Sequence, residues 1–124
     1  MNLVDSSAWL EYFANGPNAG FFARAIEDTD KLLVPTICLL EVFKRVLQQR
    51  DEGAALRVAA QMQQGKVVDL DRALALSAAK IGLDTKLPLA DSVILAAARA
   101  HNATIWTQEA DFAKVPGVKY AAKR

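Results

Sequence analysis

Five short apolar runs alternate with segments of helical periodicity from one end of the chain to the other. The runs cover 2–4, 31–34, 66–68, 104–106 and 118–120. Such alternation predicts an α/β fold, with a central parallel sheet of four to five strands and helices on both faces. Ser6 or Ser7 is placed to cap a first helix that reaches Phe13, and Gly16-Pro17 punctuates its end. A second helix is expected over about 18–27. Thr36 is expected to cap a third, in which Leu39, Phe43, Val46 and Leu47 recur at helical spacing. Gly53 is read as the break before a fourth helix that ends at Gly65. Asp71 is read as the cap of a fifth, running to about Gly82, and Pro88 stands near the start of the sixth. There Val93 through Ala98 are six apolar residues in a row, so that helix is expected to be buried on most sides. The tail 119–124, with Lys119, Lys123 and Arg124, is expected to be solvated or loosely attached.

At 124 residues the chain has enough material for one core and too little for two, which predicts a single domain, 1–124. A hydrophobic fraction of 52% excludes disorder. No basic leader opens the sequence, and no apolar run approaches the ~18 residues of a membrane span, so a cytoplasmic location is expected. One cysteine, Cys38, rules out an internal disulfide; one cysteine and one histidine, His101, rule out a Cys/His zinc site and a histidine-pair ribonuclease. Cys38 is read as a small buried hydrophobe on a helix, and His101 as a helix C-terminal residue.

Acidic residues recur where an apolar run gives way to a helix: Asp5, Glu41, Asp91, and Glu109 with Asp111. In a parallel sheet those positions lie along one edge, so residues far apart in sequence can meet there. Each has a structural explanation of its own. Asp5 could be a helix cap, Glu41 could pair with Arg45 four residues on, and Glu109 and Asp111 could be solvated turn residues. Asp91 is the hardest to explain in that way, because Leu89-Ala90 precede it, Val93-Ile94-Leu95 follow, and no basic residue comes before Arg99. Asp69 and Asp71 compete by pattern, although capping accounts for Asp71. Converging carboxylates repel one another unless a cation neutralises them, and hard oxygen ligands suit Mg2+ or Mn2+. The pattern therefore points to a metal-dependent phosphodiester hydrolase. Lys44, Arg45, Lys86 and Arg99 are candidates to meet phosphates, and each is equally explained as a surface residue. Trp9, Tyr12 and Phe13 could stack bases or belong to the core or a dimer contact.

The segments VDSSAWLEYF, VPTICLLEVFKRV, LPLADSVILAAARAHNATIWTQEADF and VPGVKY resemble, in order, those of the PIN-domain family, in particular the VapC-type toxins of bacterial toxin–antitoxin pairs. The resemblance spans essentially the whole chain and is most specific in LADSVILAAA with TQEADF. It implies an Mg2+ (or Mn2+)-dependent endoribonuclease that leaves 5′-phosphate ends, is dimeric, and is inhibited by a cognate VapB-type antitoxin. By the same resemblance Asp5, Glu41 and Asp91 fall on metal-ligand positions, Ser7 on a hydroxyl beside the first acid, and Thr107 on the hydroxyl after the fourth strand. The departure is Glu109, where the family often carries Asp; the fourth acid is therefore Glu109 or Asp111. Two other readings stay open, a phosphoaspartate receiver-like domain and a non-catalytic α/β interaction module that uses its acids as caps. Val4-Asp5-Ser6 lacks the paired acids expected of a receiver.

Overall fold

A computed structural model describes residues 1–124. Five strands, β1 (Asn2–Val4), β2 (Leu32–Pro35), β3 (Lys66–Val68), β4 (Thr104–Thr107) and β5 (Lys119–Tyr120), form one sheet in the order β3-β2-β1-β4-β5. Every pairing is parallel, with Leu3 opposite both Leu33 and Ile105. Successive strand residues face opposite sides of a sheet. Leu3 and Val4, Leu32 to Val34, and Ile105 and Trp106 are nevertheless all buried, so both faces are covered. The chain leaves β1 for β2 and β3, then returns to β4 on the other side of β1. That reversal opens a crevice beyond the carboxyl ends of β1 and β4, where ligands bind in open parallel sheets.

Six helices connect the strands: α1 (Ser6–Phe13), α2 (Ala19–Ile26), α3 (Thr36–Gln49), α4 (Glu52–Met62), α5 (Arg72–Thr85) and α6 (Leu89–Ala100). Short 3-10 turns cover Thr29–Lys31 and Ala110–Phe112. Helix α3 packs against α1, α4 and α6, and α5 pairs with α6. All residues of α6 from Ser92 to Ala98 are buried, as its apolar run predicts. No helix is long and apolar enough to cross a membrane.

Several boundaries differ from the sequence expectation. Asp5, not Ser6 or Ser7, caps α1: its Oδ1 accepts the Ala8 amide at 2.9 Å. Thr36 is the first residue of α3 rather than its cap, and its hydroxyl accepts the Leu70 amide at 3.2 Å, tying α3 to the end of β3. The break between α3 and α4 falls at Arg50, with Asp51 as the cap of α4, and Gly53 lies inside the first turn. Helix α4 ends at Met62, before Gly65, and α5 runs past Gly82 to Thr85, where Lys86 turns the chain in a left-handed conformation. Gly82 is where α5 approaches α6 closely, since a Cβ there would lie 2.8 Å from Ser92 Oγ. The tail is bonded rather than loose: the Ala121 amide donates to Thr107 O at 3.0 Å, and Asn18 Nδ2 donates to Ala122 O at 2.9 Å.

Candidate metal centre

The crevice beyond β1 and β4 is built around Asp5, which is 1% exposed. Its Oδ1 accepts the Ala8 amide and the Ser7 hydroxyl, each at 2.9 Å, and its Oδ2 accepts the Thr107 hydroxyl across the sheet. Burial raises its carboxyl from 3.8 to about 6, against the lowering effect of the Thr107, Ala8 and Ser7 hydrogen bonds and with a further push from Glu109. The cap and the site are therefore the same group. Thr107 Oγ1 also accepts the Glu109 amide at 2.8 Å, so one hydroxyl orients both Asp5 and the turn after β4.

Asp91 lies in the first turn of α6, half-buried. It has no hydrogen-bond partner and no ion pair, so the helix dipole is the only structural interaction open to it. Burial, first, and then the charges of Asp5, Asp111, Glu109 and Glu41, in that order, together raise its carboxyl from 3.8 to about 6. Four other acids thus act on one carboxyl from three separate segments. Glu41, half-buried on α3, accepts the Ser6 hydroxyl at 2.7 Å rather than pairing with Arg45. Ser7 donates to Asp5, the first acid, beside which the resemblance placed it. Ser6 as the partner of Glu41 was missed, because nothing local in the sequence marks a bond 35 residues away. Glu109 meets Lys123 at 3.1 Å, and Asp111 is exposed. Cys38 lies beneath the cluster, with its thiol 3.8 Å from Val4 O. Burial pushes its ionisation up, as do the charges of Asp5, Glu41 and Asp91, which excludes a nucleophilic role.

As they stand, no three Asp, Glu, His or Cys side chains are arranged to hold a metal ion. Asp5 is held by the Thr107 and Ser7 hydroxyls, Glu41 by the Ser6 hydroxyl and Glu109 by Lys123. The donor set still fits a hard divalent cation: it is all carboxylate and hydroxyl oxygen, and no basic side chain neutralises Asp5, Glu41, Asp91 or Asp111.

The basic candidates divide. Lys44 and Arg45 line a hollow of about 350 Å³ beside Glu41, and Lys86 stands in the turn just before α6. Arg99 is eight residues from Asp91 along α6, roughly 12 Å at the usual helical rise, and lines a different hollow at the start of β4. Trp9 is fully buried and stacks on Phe13 with ring centres 5.6 Å apart, which makes it a core residue. His101 caps the C-terminal end of α6, as expected.

A family model described as the PIN domain matches residues 3–118. The chain belongs to the PIN-domain family. Among solved structures, a toxin–antitoxin complex from Klebsiella pneumoniae superposes with a TM-score of 0.80 at 22% identity, covering 95% of this chain and 95% of that one. The VapC20 toxin of Mycobacterium tuberculosis, described as cleaving the sarcin–ricin loop, superposes with a TM-score of 0.79 at 16% identity, over 96% and 98% of the two chains. DNA-bound VapBC from Salmonella typhimurium gives 0.74 at 15% identity, over 98% of each. At these identities the likeness establishes the shared PIN fold. No curated protein matches the chain significantly in sequence.

Proposed function

We propose that this PIN-domain protein is a divalent-metal-dependent endoribonuclease, the toxin of a cytoplasmic toxin–antitoxin pair. The observation that carries the reading is Asp91, a half-buried carboxylate without a hydrogen bond or a base, set among four other acids. Nothing in a purely structural role requires that arrangement. Asp5, Asp91 and Glu41 would hold Mg2+ or Mn2+, with Glu109 or Asp111 as the fourth acid. A divalent ion bound there supplies an activated water and neutralises charge on the phosphoryl oxygens. Ser7 and Thr107 fix the Asp5 carboxylate, and the buried floor formed by Cys38 and Val4 keeps water from beneath it. Lys44, Arg45 and Lys86 are the basic residues placed to meet the RNA backbone on the side of Glu41 and Asp91, and Arg99 stands apart from them.

Two surfaces support the proposed partners. A groove of about 410 Å³ between α1, α3 and α4, lined by Leu10, Phe13, Val46 and Val58 and rimmed by Arg50 and Arg57, suits an apolar helix of an antitoxin with acidic flanks. Leu76 and Leu83, one face of α5, are 69% and 81% exposed, and Leu89 at the start of α6 is 82% exposed; a second copy of the chain is the proposed cover. The test of the activity is cleavage of structured RNA by the purified chain with Mg2+, with EDTA, and with EDTA followed by excess Mn2+. Cleavage that needs the ion supports the reading, and cleavage indifferent to chelator overturns it.

A further inference from the structure

Five polar side chains are buried in the interior: Asp5, Thr107, Ser92, Asn18 and Gln108. Asp5 and Thr107 belong to the centre, and Ser92 bonds back to its own helix through Pro88 O at 3.0 Å. Asn18 and Gln108 remain, and neither carries a charge or a hydroxyl. They bond to each other, Asn18 Nδ2 donating to Gln108 Oε1 at 3.1 Å, across 90 residues of sequence. Buried amides cost free energy unless they are bonded, so such a pair specifies geometry more than it adds stability.

Asn18 stands at the capping position of α2, where an asparagine ordinarily turns its side chain onto the helix it precedes. Here it makes no such bond. Its backbone amide is held by Glu11 of α1, whose Oε2 accepts it at 2.8 Å, and Gly16 leaves the room in which that carboxylate lies. The side chain goes instead to the far end of the sequence, with one proton on Gln108 and the other on Ala122 O at 2.9 Å. Gln108 lies between Thr107 and Glu109 in the turn after β4, and its own Nε2 donates to Ser7 O at 3.5 Å. Ser7 and Thr107 are the two residues whose hydroxyls hold opposite oxygens of the Asp5 carboxylate. One side-chain amide therefore joins the two arms that grip Asp5, and Asn18 keeps that amide in place.

We propose that Gln108, held by Asn18, is a positioning residue that sets the spacing of the Ser7 and Thr107 hydroxyls and so fixes the Asp5 carboxylate for a divalent ion. The proposal rests on the reading of Asp5 as a metal ligand. A carboxylate held at both oxygens keeps one orientation, whereas one released at either oxygen turns about its own bond and must be ordered when the ion arrives.

Mn2+ alone, titrated calorimetrically into the full chain, tests this without reference to catalysis, with urea midpoints measured alongside. Gln108→Met keeps the length of the side chain, removes both of its bonds, and is expected to weaken Mn2+ binding roughly tenfold. In the Thr107→Val background one arm of the grip is already gone, so there the same substitution is expected to change the affinity by less than about twofold. A merely structural role gives equal losses in the two backgrounds, whatever the urea midpoint does. Asn18→Ser keeps a residue suited to a helix start and drops the bond to Gln108. It is expected to weaken Mn2+ binding with Thr107 present and not with Val in its place, and it carries the test if Gln108→Met does not fold. Unchanged affinity in the folded variants, or equal losses in both backgrounds, overturns the proposal and leaves the metal centre standing. A wild-type chain that binds no Mn2+ removes the metal centre and the proposal together.

Discussion

Asp5 caps α1 with the carboxylate it also turns toward the cluster, so its variants separate the two roles. Asp5→Asn keeps an acceptor for the Ala8 amide and is expected to fold normally without activity. Asp5→Ala loses the cap as well, which costs about 1 kcal/mol or more. Asp91 has no structural bond to lose, so Asp91→Asn is expected to abolish RNA cleavage while raising the melting temperature in EDTA, because a source of repulsion goes. A lower melting temperature for Asp91→Asn would show that the charge is structurally satisfied after all. Thr107→Val removes the hydroxyl that orients Asp5 and should weaken Mn2+ binding roughly 10–100-fold, the usual cost of an outer partner. Thr107→Ser should restore most of it. Protonation gives a further check. Asp5 and Asp91 both titrate near 6 in the folded chain against 3.8 for the free group, so between those values the folded state holds protons that the unfolded state has released. The contribution of these two groups to metal-free stability is therefore greatest below about pH 4 and falls as pH rises through about 6, by roughly 3 kcal/mol for buried Asp5 and by less for half-buried Asp91. Urea midpoints measured in EDTA from pH 4 to 7.5 should decline, and a rise across that window contradicts the assignment.

Whole elements were legible in the sequence where a physical periodicity marks them, and less so where a single bond decides a boundary. All five strands stand within a residue or so of the apolar runs. The central strands β1, β2 and β4 are largely buried and so need consecutive apolar residues. The edge strands β3 and β5 are largely exposed and were marked only by short runs of strand-forming residues. The apolar run of α6 announced its burial, and Asp91, two residues before that run and with no base following until Arg99, stood out as a candidate. The caps were harder. Ser6, Ser7 and Asp5 are all good cap residues, and only the tertiary fold, which draws Ser6 to Glu41 and Ser7 to Asp5, assigns the role. Thr36 was lost as a cap because Leu70, distant in sequence, takes its hydroxyl. Nothing in the tail predicted its attachment, since two of its bonds run through backbone atoms with no sequence signature. Gly82 was read as a stop, whereas its missing side chain makes room for Ser92 between α5 and α6. Gly82→Ala should therefore destabilise the chain by about 1–3 kcal/mol despite the better helix propensity of alanine. Removing the obstructing hydroxyl in Gly82→Ala/Ser92→Ala should recover part of that loss, and a double variant as unstable as the sum of the singles rules out this contact as the cause.

At the scale of the molecule, the exposed leucines argue for more than one copy. A solvated helix can carry single apolar residues without consequence, but Leu76 and Leu83 are seven apart on one face of α5, and Leu89 follows just after the turn that ends it. Helix α5 meets α6 on its other side, through Leu74, Ala78 and Ile81, so the outward leucines contribute nothing to the core of one chain. Covering them with the same surface of a second copy would be a two-fold, self-complementary contact, in which each Leu83 meets the partner's face. Asp91, proposed as a metal ligand, lies in the first turn of α6, two residues after Leu89, so dimerisation through these leucines would bring the proposed centres of both copies near one contact. Leu83→Glu puts like charges opposite each other at such a contact and is expected to shift sedimentation from dimer to monomer at micromolar concentration, with the melting temperature becoming independent of protein concentration. A wild-type chain that sediments as a monomer at those concentrations removes the second copy from the scheme and leaves the α5 leucines to a different partner.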